Sequence, residues 1–340
     1  MAYRVGIVGA SGYGGAELVR LLAGHPALQV ATVAAHSQAG EPVTAAFPNL
    51  VALHGARSFD TVELDPLAGL DLVFLATPHD ASIELGAALH DAGTPTVDLS
   101  AAFRLDPDGF HTWYGTPHPR PDLAPAVYGL PELHREQLRD AALIAAPGCY
   151  PTATLLALAP LAGLLAPGSI VVDAKSGTSG AGRSAKEHLQ FSSVHGDLVA
   201  YGAPTHRHTG EIEQWLPGEL GPISFTPHLV PMSRGLLATC YATLRPGVTP
   251  GQVEDALSDA YTDEPFVHVL PPGDFPHTKA VTGSNGAQVS ALVDERTQRV
   301  LATSVIDNLG KGAAGQALQA ANLRLGIDES AGLTAIGVYP

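Results

Sequence analysis

Sulfur is scarce in this chain: 340 residues hold two cysteines and two methionines. Two cysteines build no disulfide framework, which points to a reducing compartment. Basic residues are also few, 18 Lys and Arg against 33 Asp and Glu, for a formal net charge of −15. No Lys/Arg cluster stands against that excess, so nucleic acid is not expected as a partner. Long apolar runs are missing as well. The longest, LLALAPLAGLL, is broken by Pro160 and is too short to span a bilayer. The opening MAYRVGIVGASG runs straight into a strand pattern and a glycine loop, with no basic leader or cleavage site. The expectation is a cytoplasmic protein without membrane contact. The 15 histidines never fall at metal-ligand spacing with cysteine or carboxylate, so no metal is expected either.

What is present is apolar mass. At 45% apolar and 15% charged, the chain is long enough for a large core and for two domains. In the first half, strand-like and helix-like pieces alternate. Tyr3–Val8, Leu28–Ala35, Leu70–Ala76, Thr96–Leu99 and Leu143–Ala146 read as strands. Ala16–Ala23 and Asp80–Ala92 read as helices. Such alternation implies a Rossmann-like, doubly wound parallel sheet. After Cys149 a helical stretch, Thr152–Leu165, gives way to closely spaced strands: Ile170–Ala174, Ile223–Val230, Leu236–Leu244, Val289–Val293 and Val300–Ile306. One helix, Gly251–Tyr261, interrupts them. This is the pattern of an α+β domain on a mainly antiparallel sheet. The alanine-rich stretch Gly312–Leu325 reads as a closing helix that returns to the first domain. The expected division is 1–148 with 310–340 for dinucleotide binding and 149–309 for catalysis and association.

GASGYGG follows the first strand and opens the first helix, with glycines at 9, 12 and 15. Such glycines permit a tight turn, close approach to a pyrophosphate and a helix N-terminus aimed at the anion. The second strand ends in Ala34-Ala35-His36-Ser37 with no acidic residue to hold ribose hydroxyls. That absence leans toward NADP, with Ser37 and His36 as phosphate contacts.

In APGCYPTAT, Cys149 sits where one apolar run stops and the next begins. Pro151 suits the first turn of a helix, which would put Cys149 at its amino end. There the helix dipole and unpaired N–H groups favour a thiolate and can bind a developing oxyanion. A nucleophilic cysteine wants an acid/base partner, and PTHRHTGEIEQ offers His206 and His208 around Arg207. On a strand the two histidines would share one side. Arg104, in DLSAAFRLD after a parallel strand, is placed to grip a phosphate. DAKSGTSGAGR reads as a loop of small residues with Lys175 and Ser176.

Together GASGYGGAEL, DLSAAFRL, APGCYPTAT, DAKSGTSGAGR, HRHTGEIEQ, GSN at 283–285 and DNLGKGAAGQA resemble the N-acetyl-γ-glutamyl-phosphate reductases of arginine biosynthesis over essentially the whole chain. That family resembles aspartate-semialdehyde dehydrogenase in design. The resemblance implies an NADPH-dependent reductive dephosphorylation through a thioester on Cys149, with His208, or else His206, relaying the proton. It implies that Gly9, Ser11, Gly12, Tyr13, Gly14 and Gly15 lie along the cofactor pyrophosphate. Asn308 and Ser284 would then approach the nicotinamide end, Arg104 would hold the substrate phosphate, and Arg207, Ser176 and Gly177 would line the same pocket, the last two also against the cofactor. It also implies a homodimer or homotetramer acting on a small acyl phosphate. Ala102 and Thr178 depart from residues frequent in the family, Asp and Val. Two other readings stay open: a reductase of carrier-protein-linked aminoadipyl phosphate in lysine biosynthesis, and a dinucleotide sensor without turnover. Intact GCYPT and DAKSGTSGAGR stand against the first.

Overall fold

The computed structural model describes residues 2–54 and 57–339. The chain forms two compact units. One comprises the residues up to Pro147 together with Ala313–Thr334; the other comprises Gly148–Gly312 together with the residues from Ala335 onward. Met1 and Pro340, the ends of the expected domain ranges, lie outside the described residues.

The first unit is built on six strands: β1 (Tyr3–Val8), β2 (Leu28–Ala34), β3 (Leu72–Leu75), β4 (Thr96–Asp98), β5 (Val127–Tyr128) and β6 (Leu143–Ala145). They lie in the order β2-β1-β3-β4-β6-β5, and every pair is parallel. Val5, Ile7, Val8 and all of Leu72–Leu75 are fully buried, as both faces of a parallel sheet require. The helices Tyr13–Leu22 and His79–Asp91 begin one residue or more before the expected starts. Strand β5, only two residues long, leaves no periodic trace in the sequence.

The closing helix is Gly315–Arg324, entered through a π turn at Gly310–Ala314. It groups with the first unit. Its buried surface carries amides as well as apolar residues. Gln316 donates to Gly129 O at 2.7 Å, and Asn322 donates to Ala331 O at 2.9 Å. The Oδ1 of Asn322 lies 3.1 Å from His25 Nε2.

The second unit carries seven strands: β7 (Val171–Gly177), β8 (Val199–Ala200), β9 (Ser224–Val230), β10 (Leu236–Thr243), β11 (Val267–Val269), β12 (Ala287–Asp294) and β13 (Arg299–Ile306). Their order is β11-β12-β13-β10-β7-β9-β8. The sheet is mixed: β7/β9 and β11/β12 are parallel and the other pairs antiparallel. The loop reading of DAKSGTSGAGR needs correction at its start. Asp173–Gly177 continues β7, because β10 and β9 pair with it from both sides through Ser176 and Gly177. A Thr178–Ala181 turn follows.

Against β10 and β13 packs the helix Cys149–Leu158. Every residue from Tyr150 to Leu158 is buried, so this helix is enclosed on all sides and forms the middle of the unit. Burying Leu155, Leu156 and Leu158 contributes about 2 kcal/mol each relative to exposure. Among the described residues, no helix is long and apolar enough to cross a membrane.

Candidate active site

In the first unit the glycine loop is shaped by contacts that leave no room for a side chain. Gly9 has φ +83, and a Cβ there would strike the Ala76 carbonyl oxygen. A Cβ at Gly15 would come within 2.6 Å of Ala10 Cα. The N–H groups of Gly9 and Ala10 both donate to Ala34 O at 3.0 Å, tying the loop to the end of β2. Gly12 is the N-cap of the Tyr13–Leu22 helix, so its first-turn N–H groups open beside Ser11–Gly15. This cradle fits a pyrophosphate. His36 and Ser37 are exposed in the turn that follows Ala35 at the end of β2.

Arg104 is buried, with 6% exposure, and part of its guanidinium is already engaged. Nε donates to Ala146 O at 2.8 Å and Nη2 to Leu99 O at 2.8 Å. The side chain therefore fixes the carbonyl three residues ahead of Cys149 in the chain, whatever else it holds. Nearby Asp98 is fully buried. Burial pushes its carboxyl above the ordinary value, while Ser100 Oγ at 2.7 Å opposes the shift.

In the second unit Cys149 is the first residue of its helix, with Gly148 as extended N-cap. The cysteine is half-buried. Gly312 closes over it: a Cβ added there would lie 2.8 Å from Cys149 Cβ. That glycine is held by the turn after β13, in which Gly312 N donates to Asp307 O at 2.9 Å. The Asp307 carboxylate, fully buried, accepts from the N–H groups of Gly283, Leu309 and Gly310 and pairs with Arg234 at 3.0 Å.

His206 and His208 meet in the same corner, though not on a strand. Arg207 is the exposed N-cap of the helix His208–Trp215, and His206 precedes it in irregular backbone. The imidazole centroids are 4.8 Å apart. Tyr150 lies 5.8 Å from His206 and 5.9 Å from His208, ring to ring, with Phe225 and Tyr201 completing an aromatic box around His206. His206 Nδ1 accepts from the His208 N–H at 3.2 Å, which leaves its proton on Nε2. Burial, aided by the charge of Arg207, holds this imidazole at about 4, well below the ordinary histidine value.

The hydroxyl of Tyr201 donates to Tyr150 Oη at 3.2 Å, and Tyr150 donates to His228 O at 3.1 Å. Burial, then the neighbouring Tyr201 and the charge of Cys149, push the Tyr150 phenol far above its usual range. Ser176 and Gly177 are buried at the end of β7; Ser176 Oγ donates to Gly177 O at 3.2 Å. Asn308 bridges two strand ends, accepting from Gly235 N and donating to Ser179 Oγ, each at 2.8 Å. Ser284 bonds locally, to Val281 O and Gly286 N.

Four residues of this corner carry no role in the sequence reading, although Tyr150, Glu211 and Asp307 stand inside its motifs. Tyr150, Tyr201 and Asp307 are reached only through the fold. Glu211 is the fourth: it is 2% exposed, and its Oε1 accepts from Gly148 N at 2.8 Å. The one available signal was its place in the first turn after His208, where a carboxylate is favoured. Among the described residues no group of three or more His, Cys, Asp or Glu could hold a metal ion.

Two family models match the chain: "Semialdehyde dehydrogenase, NAD binding domain" over residues 4–141 and "Semialdehyde dehydrogenase, dimerisation domain" over residues 149–308. The chain is 49% identical to an N-acetyl-gamma-glutamyl-phosphate reductase of Symbiobacterium thermophilum, over 100% of both chains. It is 47% identical to one of Brevibacillus brevis, over 99% of both. Among solved structures, aspartate semialdehyde dehydrogenase II of Vibrio cholerae complexed with ASA aligns with TM-score 0.73 at 17% identity, covering 96% of this chain and 98% of that one. The Candida albicans aspartate semialdehyde dehydrogenase with NADP aligns with TM-score 0.68 at 16% identity, covering 95% and 98%. At those identities the two structures speak for the fold alone.

Proposed function

The chain belongs to the N-acetyl-gamma-glutamyl-phosphate reductase family, and from that premise we propose that it reduces N-acetyl-γ-glutamyl phosphate to N-acetylglutamate 5-semialdehyde with NADPH, releasing phosphate. The observation that carries this reading is the position of Cys149. It is a half-buried thiol at the first residue of a helix, in one corner with His208.

The helix N-terminus stabilises the thiolate, which attacks the acyl carbon; the carbon–oxygen bond to phosphate then breaks and leaves a thioester on Sγ. N–H groups of the first turn are placed to receive the oxyanion of the tetrahedral intermediate. NADPH supplies the hydride that reduces this thioester. His208 protonates the resulting oxyanion and takes that proton back as the carbon–sulfur bond of the thiohemiacetal breaks, freeing the aldehyde and the Cys149 thiolate. His206 is the poorer relay: its Nδ1 is engaged, and its low proton affinity keeps it neutral. It serves instead as a fixed Nε2–H donor.

We assign Gly9, Ser11, Gly12, Tyr13, Gly14 and Gly15 to the dinucleotide pyrophosphate, on the fit of the cradle described above. Ser37, with His36, takes the 2′-phosphate, since no carboxylate at the end of β2 opposes NADP. Ser176, Gly177 and Asn308 serve the nicotinamide end, and Arg104 and Arg207 the substrate. The unit that runs up to Pro147 and includes Ala313–Thr334 serves as the cofactor domain, and the unit built on Gly148–Gly312 as the catalytic and association domain. The protein works in the cytoplasm as a homo-oligomer, and the name of the family model over residues 149–308 supports the association.

The reverse reaction tests the reading. Purified protein with N-acetylglutamate 5-semialdehyde, NADP and phosphate yields NADPH, and Cys149→Ser abolishes this while cofactor binding persists. A wild-type protein that binds NADP without turnover would point to a sensor instead. Turnover only of a carrier-linked substrate would point to the lysine route.

A further inference from the structure

The backbone N–H of Gly148, immediately before the nucleophile, is held by a buried carboxylate that the reaction scheme does not use. Glu211 Oε1 accepts from Gly148 N at 2.8 Å with the side chain 2% exposed. Glu211 stands one turn after His208 on the same helix, since residues three apart share a face. This hydrogen bond joins the start of the histidine helix to the start of the cysteine helix. We propose that Glu211 is a positioning residue for the nucleophile: its carboxylate locks the Gly148 peptide, fixing Cys149 relative to His208, and its charge, one residue from the sulfur, tempers thiolate formation. The inference rests on the reading of Cys149 as nucleophile.

Two consequences separate by chemistry. The hydrogen bond needs only an acceptor, which a glutamine can supply, whereas the electrostatic effect needs the charge. A like charge near an ionising group disfavours its charged form. The other charged or titratable groups around this corner include His206, Arg207 and His208 on the same segment, Tyr150 and Tyr201 beside Cys149, His228 behind Tyr150, and Asp307 with its partner Arg234 and Lys311 at the turn that carries Gly312. All are retained in Glu211 variants, so a change in the cysteine's titration reports Glu211.

The test is the rate of Cys149 alkylation by iodoacetamide against pH, with turnover measured on the same full-length preparations. Glu211→Gln lowers the pH midpoint of alkylation by about half to one unit. Glu211→Ala lowers kcat at least about tenfold with little change in KM, because the Gly148 peptide is no longer fixed, and Glu211→Gln recovers most of that loss. If Glu211→Ala does not fold, the glutamine titration alone decides. A Glu211→Gln midpoint that coincides with wild type overturns the inference, as does a Glu211→Ala protein with wild-type kcat. Alkylation of Cys149 that leaves turnover intact would instead sink the nucleophile reading, whatever Glu211 does.

Discussion

The two units solve their tasks with different parts of the chain. In the first, the proposed site is written in backbone: Gly9 and Gly15 stand where a Cβ would strike Ala76 or Ala10, and the cradle proposed for the dinucleotide is a row of main-chain N–H groups. In the second, it is written in side chains gathered from distant segments. Cys149, His206, Glu211, Phe225 and Asp307 span more than 150 residues yet share one corner or its supporting turn. A backbone site tolerates side-chain change and fails on added volume. A side-chain site fails on lost chemistry and on lost support.

That contrast can be broken at several points. The largest effect belongs to Cys149→Ser, which should cut turnover by about a thousandfold or more while dinucleotide affinity, read by fluorescence titration, stays within about twofold. A cofactor affinity that falls with the thiol would mean the two tasks are not separate. Next, His208→Asn should cost about a hundredfold in kcat and remove a limb of the pH–rate profile. His206→Asn, which keeps a short polar side chain beside the His208 N–H, should lose less and keep that limb. The reverse pattern would transfer the relay to His206.

Gly15→Ala should weaken dinucleotide binding about tenfold or more, since overpacking costs about 1–3 kcal/mol, and leave the alkylation rate of Cys149 unchanged. Gly312→Ala should do the opposite, because its Cβ would crowd Cys149 Cβ at 2.8 Å. Turnover falls several-fold and dinucleotide affinity holds. Equal damage to both readouts by either alanine would erase the distinction between the units.

The smallest effect concerns pH. His25 in the first unit, whose Nδ1 accepts from Ala27 and Leu28 N–H, and His206 in the second are both held neutral by burial, with proton affinity below the ordinary value. The unfolded chain therefore binds protons that the folded one refuses. Their contribution is complete above about pH 6.5 and is lost as pH falls below it, toward about 4 for His206. Thermal midpoints followed from pH 7.5 to 5 should drop by a few degrees, and His206→Asn should shrink the drop. An unchanged drop would remove His206 from this account.

The same contrast explains what the sequence disclosed. Fully apolar strands such as Leu72–Leu75, the Gly9–Gly15 loop and the Gly148-Cys149-Tyr150-Pro151 helix start are local patterns, and each is found in the fold close to where it was expected. The mixed sheet was legible in kind. Its short members, Val199–Ala200 and Val267–Val269, were not, because two or three residues carry no period. The extension of β7 through Gly177 depends on partners on both sides, and that lies beyond any local signal. His206 and His208 were read as a pair, but the helix that starts at His208 changes how they face each other. Glu211 and Asp307 were missed for one reason: each acts on backbone N–H groups, and a carboxylate's choice of N–H cannot be read along a chain.

Mass spectrometry of the protein and its peptides after mixing with N-acetyl-γ-glutamyl phosphate, without nicotinamide cofactor, tests the proposed role of Cys149 as nucleophile most directly. One N-acetylglutamyl group should appear on the Cys149 peptide, with one equivalent of phosphate released, and Cys149→Ser should show neither. An acyl group found on another residue, or turnover that persists in Cys149→Ser, would contradict it.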